Sequence, residues 1–318
     1  MNTMQESEKK KLSTEPYKGV RDFYPEDMTV QNHIYSTWKE VCEQFGYQEY
    51  AASLLEPAEL YRSKGSEEIV NEQMFTFIDR GEREVALRPE MTPSLARMVA
   101  AKRKSLKFPL RWYTIANCFR YERPQRGRKR EHWQLNADIV GIAGVDAEME
   151  IISLAHAVMK AFGATEKDFV IKINNRAAME TALFAQGISK ADMSVLFRRW
   201  DKEGVTKNEK VSWAFALDTL LAELKKRGVT NAEFDANIVR GFDYYTGMVF
   251  EVFDTHAENR RSLFGGGRYD NLLEMFDVEP VPTVGFGMGD VTIRDFLETH
   301  QLPMKYQSAN GDQSTNTC

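Results

Sequence analysis

An α+β fold is predicted, with an antiparallel sheet flanked by helices and a mainly helical insertion. Three observations predict it. Strand-like runs follow one another as hairpins: Leu110 to Phe119 with Gln134 to Gly141, and Glu72 to Ile78 with Arg83 to Leu87 around Asp79-Arg80-Gly81. Strands that pair with their sequence neighbours build antiparallel sheets, whereas regular strand–helix alternation builds parallel ones. Glycines 285, 287 and 289 alternate along one strand and leave one of its faces bare, which suits a flat ring such as adenine lying on the sheet and costs packing anywhere else. Residues 187–232 are rich in Lys, Arg and Glu and hold the helical run Ser212 to Arg227. The expected division is a disordered tail over 1–15, one domain built from 16–164 and 236–300, a helical insertion over 165–235, and a polar tail over 301–318.

Bulk properties narrow the function classes. The chain has 318 residues and a net charge of -5, enough to bury a large core. An acidic total confines any nucleic-acid contact to a local basic patch. Cys42, Cys118 and Cys318 are far apart and form no C-x-x-C pair, so neither a disulfide framework nor a zinc knuckle is supported and a reducing cytoplasm is expected. The five histidines show no metal spacing. The polar residues Met1 to Thr14 do not read as a signal peptide, and no apolar run reaches the length of a membrane span.

Taken in order, Pro25-Glu26-Asp27 opens a helix with Pro and acids in its first turn. Val30, Ile34, Trp38, Val41 and Phe45 recur three and four apart and mark its apolar face. Gly46 ends it, and Tyr47 to Leu55 reads as a strand stopped at Pro57. The two strands that follow deliver Leu87-Arg-Pro-Glu-Met-Thr-Pro-Ser94, where Glu90 and Thr92 can point to one side, and a helix over Leu95 to Ala101 starts on Ser94 as its cap. Asp146 to Phe162 is an amphipathic helix, Val170 to Asn174 a strand, and Asn175 starts a helix to about Gln186. Asn237 to Phe253 reads as strand, turn, strand, with Arg240 on an apolar strand in need of an anionic partner, either Asp243 or a phosphate. A helix over Asn271 to Met275, the glycine strand Val281 to Asp290 and a helix over Val291 to Thr299 complete the chain.

The segment that stands out is Arg120-Tyr-Glu-Arg-Pro-Gln-Arg-Gly-Arg-Lys-Arg130, with six basic residues against one carboxylate. It is either a solvated hairpin tip or an anion site, and its arginines suit bidentate recognition of phosphate or carboxylate. The triple glycine Gly265 to Gly267 fits a tight turn or a close approach, and it matches neither of the common phosphate-loop patterns.

Several of these stretches together resemble the histidyl-tRNA synthetases, a family of class II aminoacyl-tRNA synthetases. Lys18-Gly-Val-Arg-Asp-Phe-Tyr-Pro25 with the following helix, strand and Pro57 resembles the dimer-forming motif 1. Leu87-Arg-Pro-Glu-Met-Thr92 resembles the R-P-E-x-T segment, and Phe119 to Arg130 resembles motif 2. Val239-Arg-Gly-Phe-Asp-Tyr-Tyr-Thr-Gly247 and Gly266-Gly-Arg-Tyr-Asp270 resemble the two histidine signatures. The resemblance runs from about residue 16 to 300, in the family's order.

It implies a class II aminoacyl-tRNA synthetase-like antiparallel sheet of six to seven strands, a homodimer and a two-step reaction. Histidine attacks the α-phosphorus of ATP, bound with Mg2+, and the adenylate then passes its histidyl group to the acceptor end of tRNA(His). Arg120 and Arg240 are expected at the α-phosphate, Arg240 in a role that a metal ion fills in related enzymes. Glu90 and Thr92 are expected at the α-amino group and Gln134 at the carboxylate side. Asp138 and Tyr245 are expected at the imidazole, with Tyr244 beside them. ATP would be held by Arg120, Glu122, Arg128, Gly287 and Gly289, and residues 126–130 would touch ATP phosphates or tRNA. The chain departs from the family in three places. Asp138 stands where most members carry Glu, Thr292 stands where motif 3 carries its ATP-binding Arg, and the C-terminal anticodon-binding domain is expected to be absent. Two other readings compete: a histidine-sensing paralogue resembling the ATP phosphoribosyltransferase regulatory subunit, and an ATP-dependent activating enzyme for another acceptor. Arg120, Glu122 and Arg240 favour the ligase, because a sensor does not need phosphate and adenine ligands.

Overall fold

The computed structural model describes residues 12–63, 69–205, 217–240, 244–259 and 261–305. In chain order the elements are α1 (Pro25–Gln44), β1 (Gln48–Glu49), β2 (Leu55–Pro57), α2 (Ala58–Arg62), β3 (Phe75–Ile78), β4 (Glu84–Leu87), α3 (Thr92–Lys102), β5 (Leu110–Phe119), β6 (Glu131–Val140), α4 (Val145–Ala161) and β7 (Phe169–Asn175). There follow α5 (Arg176–Ala185), α6 (Lys190–Glu203), α7 (Asp218–Lys226), β8 (Ala232–Phe234), β9 (Met248–Asp254), β10 (Ser262–Arg268), β11 (Thr283–Gly289) and α8 (Asp290–Thr299). Among these residues no helix is long and apolar enough to cross a membrane.

The main sheet has eight strands in the order β1-β5-β6-β11-β10-β9-β7-β8. The six inner strands are antiparallel, as expected. The edge strands β1 and β8 pair parallel with β5 and β7, which the hairpin pattern did not reveal. A second sheet, β2-β4-β3, has three strands. One face of the main sheet is apolar: Leu135, Ala137, Ile139, Val252, Phe250, Val284, Phe286 and Met288 join Ile34, Trp38 and Val41 of α1 and the buried sides of α4 and α8 in one core. Burying such side chains stabilises by about 1.5–3 kcal/mol each. The opposite face carries the polar residues of the same strands.

Several boundaries differ from the sequence reading, each for a local reason. The strand expected over Tyr47 to Leu55 is split, because the chain crosses from one sheet to the other at residues 51–54. Arg88 holds that crossing, with Nη1 donating to the Ala52 carbonyl at 2.8 Å and Nε to that of Asn117 at 2.8 Å. The strand expected from Glu72 starts at Phe75, after a π-helical turn over Ile69–Gln73. Helix α3 starts at Thr92 with Pro93 in its first turn, so Ser94 is inside the helix and its hydroxyl meets that of Tyr61 at 3.3 Å rather than capping. Asn175 does cap α5, accepting from Ala178 N at 3.0 Å. Leu272–Phe276 is a 3-10 turn where an α-helix was expected.

Arg240 is on no strand, because its φ of 56° is the left-handed region that a strand does not use. Within 165–235, α5, α6 and α7 supply the helical part, while β7 and β8 at its two ends belong to the main sheet. At the end of the described chain, Leu302 and Met304 pack on the core. The tails at 1–11 and 306–318, part of the expected helix over Ser212 to Arg227, and Asp243 lie outside the described residues.

One buried carboxylate ties the opening segment to the sheet. Asp290, fully buried, accepts from Trp133 N at 2.9 Å, Gln31 Nε2 at 3.0 Å and Arg21 Nη2 at 2.7 Å. Trp133 precedes Gln134, the last residue of β6 paired with β11, so the side chain takes over where that ladder stops. Removing one partner of such a pair leaves a buried charge under-satisfied, at a cost of about 3–5 kcal/mol. Arg21→Ala is expected to destabilise by about 3 kcal/mol in urea unfolding; a loss below about 0.5 kcal/mol would mean that Gln31 and the Trp133 amide suffice.

Candidate active site

The polar face follows from strict alternation. Along β6, Gln134, Asn136 and Asp138 alternate with Leu135, Ala137 and Ile139, so the polar three share the face opposite the core. The register sets Gln134 against Gly289, Asn136 against Gly287 and Asp138 against Gly285, while Gly265 and Gly267 of β10 stand against Gly287 and Gly285. A flat bare surface was expected above these glycines, but four side chains use the space. A Cβ on Gly287 would lie 2.0 Å from Gln134 Nε2, and one on Gly285 2.1 Å from Asp138 Oδ1. On Gly265 it would lie 2.1 Å from Arg240 Nη1 and 2.5 Å from the Phe250 carbonyl oxygen, and on Gly267 2.5 Å from the Met248 carbonyl oxygen and 2.9 Å from the Tyr245 ring. These glycines leave room both for neighbouring backbone and for side chains that line the cavity. Gly289 is the more open one, with Thr292 Oγ1 nearest at 3.7 Å.

Over this face lies a cavity of about 480 Å3. The twelve residues singled out in the sequence all line it: Glu90, Thr92, Arg120, Glu122, Arg128, Gln134, Asp138, Arg240, Tyr244, Tyr245, Gly287 and Gly289. They arrive from α3 and its lead-in, the β5–β6 hairpin, the loop before β9, and β11. Sequence reasoning missed Asn136, His132, Arg198, Glu251 and Tyr269, which also line it. The signal for Asn136 was available in the polar alternation of β6. Tyr269 lay inside a quoted motif. Nothing local marks Arg198, which comes from α6 in the helical part, or Glu251, which sits among the apolar residues of β9.

Charge is divided within the cavity. Burial pushes the Glu90 carboxyl upward, opposed by Arg120, by the Tyr244 hydroxyl that donates to its Oε2 at 3.4 Å, and by Arg240. Its Oε1 is buried and accepts no hydrogen bond among the described residues, the arrangement an ammonium group would complete. Arg120 is oriented by its Nε, which donates to the Pro89 carbonyl at 2.9 Å. Burial, with Arg120 nearby, pushes the His132 imidazole down to about 3, so it stays neutral. Asp138 is pushed up to about 7 by burial, against a hydrogen bond from the Tyr269 hydroxyl. The left-handed backbone of Arg240 costs on the order of 1–3 kcal/mol, strain of a kind that clusters at functional sites.

The basic loop has divided duties. Arg128 and Lys129 line the cavity, whereas Arg126 binds Asp295 at 2.8 Å and Thr299 at 3.2 Å on α8. Arg130 is buried, stacked 3.8 Å over the Tyr121 ring, and donates to the Tyr17 hydroxyl at 3.0 Å. Arg126 and Arg130 therefore anchor the hairpin. Thr292 is bonded to the Leu263 carbonyl at 2.7 Å, and Arg294 is tied to Asp27 and Glu298, away from the cavity. Arg268 of the second signature clamps β10 to α4 through Glu148 at 2.7 Å.

The family model described as histidyl-tRNA synthetase matches residues 19–211 and 202–290. A histidine--tRNA ligase of Leptospira biflexa is 42% identical over 337 residues, covering 94% of this chain and 77% of its relative. The chain belongs to the histidyl-tRNA synthetase family. A chloroplastic/mitochondrial histidine--tRNA ligase of Arabidopsis thaliana is 38% identical, with 92% of this chain and 68% of that one covered. Among solved structures, a histidine--tRNA ligase subunit from Alicyclobacillus acidocaldarius has a TM-score of 0.72 at 25% identity, covering 92% and 99%. A Bacillus halodurans protein described as ATP phosphoribosyltransferase regulatory subunit/histidyl-tRNA synthetase reaches 0.75 at 24% identity, covering 90% and 84%, which speaks for the fold alone.

The raised pKa of Asp138 makes the stability of the fold depend on pH. Folding raises its pKa from 3.8 to about 7, so its favourable contribution is complete below pH 3.8 and is lost as pH rises to about 7. Relative to Asp138→Asn, the protein is expected to lose about 2–3 kcal/mol of unfolding free energy between about pH 5 and 8. Denaturant melts at both pH values measure this; parallel pH dependence in the two proteins would contradict it.

Proposed function

We propose that this cavity carries out histidine–tRNA ligation in two steps, with ATP as its Mg2+ complex. A carboxylate oxygen of histidine forms a bond to the α-phosphorus while the bond to the β-phosphate oxygen breaks and pyrophosphate leaves. A hydroxyl of the tRNA terminal adenosine then attacks the histidyl carbonyl, and AMP leaves. The observation that carries the reading is one cavity holding both a buried Glu90 carboxylate oxygen that accepts no hydrogen bond among the described residues and two arginines whose charges reach it, Arg120 and Arg240. The first suits an α-ammonium group, and the second suits charge building at the α-phosphate.

Thr92 assists Glu90 at the ammonium group, and Gln134 holds the carboxylate side. Asp138, Tyr245 and Tyr244 surround the imidazole, the Asp138 carboxyl being held through Tyr269. Glu122 takes the adenine amino group, and Arg128, Gly287 and Gly289 border the nucleotide. The sensor reading is less well supported, because it gives no use to the cations gathered here.

The protein is proposed to act as a homodimer in the cytoplasm. Leu55, Phe77 and Ile78 of the smaller sheet are 46%, 47% and 64% exposed, surface that a second copy would cover. Cys42 and Cys118 are buried and unpaired, as a reducing compartment allows.

Histidine-dependent exchange between pyrophosphate and ATP, followed by charging of tRNA(His), tests the reading. Arg240→Ala is expected to lower exchange at least about 100-fold while leaving the sedimentation profile unchanged; near-normal exchange would refute its role. Absence of exchange in the folded, unmodified protein would refute both steps.

A further inference from the structure

Glu251 has no part in the reading above, yet it faces the cavity beside Arg240. Its Oε1 lies 3.0 Å from Arg240 Nη1, and the two side chains are only 22% and 14% exposed. Glu251 is directly opposite Gly265 in the β9–β10 register. A side chain on Gly265 would meet Arg240 Nη1 at 2.1 Å and Glu251 Cγ at 3.0 Å. The Arg240 guanidinium also lies 5.6 Å from the Tyr245 ring centroid. Carboxylate, glycine notch and ring thus bracket one guanidinium, whose backbone is already in a left-handed conformation.

We propose that Glu251 is a positioning residue, whose carboxylate holds the Arg240 guanidinium over Gly265 so that it meets the α-phosphate without rearranging. The proposal rests on the assignment of Arg240 to that phosphate. Its physical basis is preorganisation: a cation already in place stabilises developing charge without a reorganisation cost, and a misplacement of about 1 Å can cost about 100-fold in rate.

Single-turnover formation of histidyl-adenylate, measured with Glu251→Gln, Glu251→Asp and Arg240→Lys, tests it. Glu251→Gln is expected to slow adenylate formation on the order of 100-fold, with the histidine dissociation constant and the melting temperature nearly unchanged. Glu251→Asp is expected to recover part of the rate. In the Arg240→Lys background, Glu251→Gln should cost less than about threefold, because the group it positions has gone. Multiplying losses in the double variant would overturn the proposal, as would an unaffected Glu251→Gln. A Glu251→Gln defect reversed by raising Mg2+ would also overturn it, making Glu251 a metal ligand instead. If Arg240→Lys itself forms adenylate at the normal rate, the assignment of Arg240 fails first, and that result is read separately.

Discussion

In the pairing of β6 with β11, Gln134, Asn136 and Asp138 stand opposite Gly289, Gly287 and Gly285, and this register makes a polar cavity compatible with a packed sheet. Side chains alternate across a strand, so a slip of one residue would send the polar three into the apolar core and turn Leu135, Ala137 and Ile139 toward the cavity. The cost of burying both sets on the wrong side fixes the register. The glycines follow from the same constraint, since polar side chains lying down across a sheet need neighbours without a Cβ. Strand glycines normally weaken a sheet; here the side chains of Gln134, Asp138, Arg240 and Tyr245 take the space at Gly287, Gly285, Gly265 and Gly267.

The electrostatics obey a similar economy. Cations at the site are held by backbone carbonyls or carboxylates before substrate arrives: Arg120 by Pro89 and Arg240 by Glu251. Buried acids are kept at raised pKa values by desolvation and moderated by tyrosine hydroxyls, Tyr244 for Glu90 and Tyr269 for Asp138. The hairpin that brings Arg120, Arg128 and Lys129 to the cavity is fastened at Arg126 and Arg130, so two of its basic residues serve the scaffold and three border the cavity. Asp290 anchors the same β6 strand from below through the Trp133 amide.

Much of this was legible in the sequence, because its signals are local. Hairpin succession pointed to antiparallel pairing and gave β5 with β6, although the β3–β4 hairpin belongs to the smaller sheet and Gly265 to Gly267, read as a turn or a close approach, lie in strand β10. The apolar repeat in α1 gave its buried face, and the ordered motifs led to residues that share one cavity. What was hidden depends on contacts between distant residues. The parallel edges β1 and β8 are pairings of short segments with strands far along the chain, and no local pattern announces them. Arg240 looked like a strand residue because its neighbours are apolar, whereas its backbone is left-handed and its guanidinium lies against Glu251, the Gly265 notch and the Tyr245 ring. The glycine face looked bare because a sequence does not show what fills the space above it. Glu251 was invisible as a site residue for the same reason, since one acid on an apolar strand has no periodicity.

If the glycine notches exist to seat the side chains that line the cavity, Gly287 is the position where filling one should matter most. A methyl group there would meet Gln134 Nε2 at 2.0 Å and Cδ at 3.0 Å, with Asn136 Nδ2 at 3.4 Å. The nearest obstacles are thus the ends of two site side chains, and no backbone atom is among them. Pyrophosphate exchange and thermal unfolding of Gly287→Ala, measured side by side, make the test. The variant is expected to be folded, with a melting temperature within a few degrees of the original and exchange reduced on the order of 100-fold. Near-normal exchange in that folded variant would contradict it.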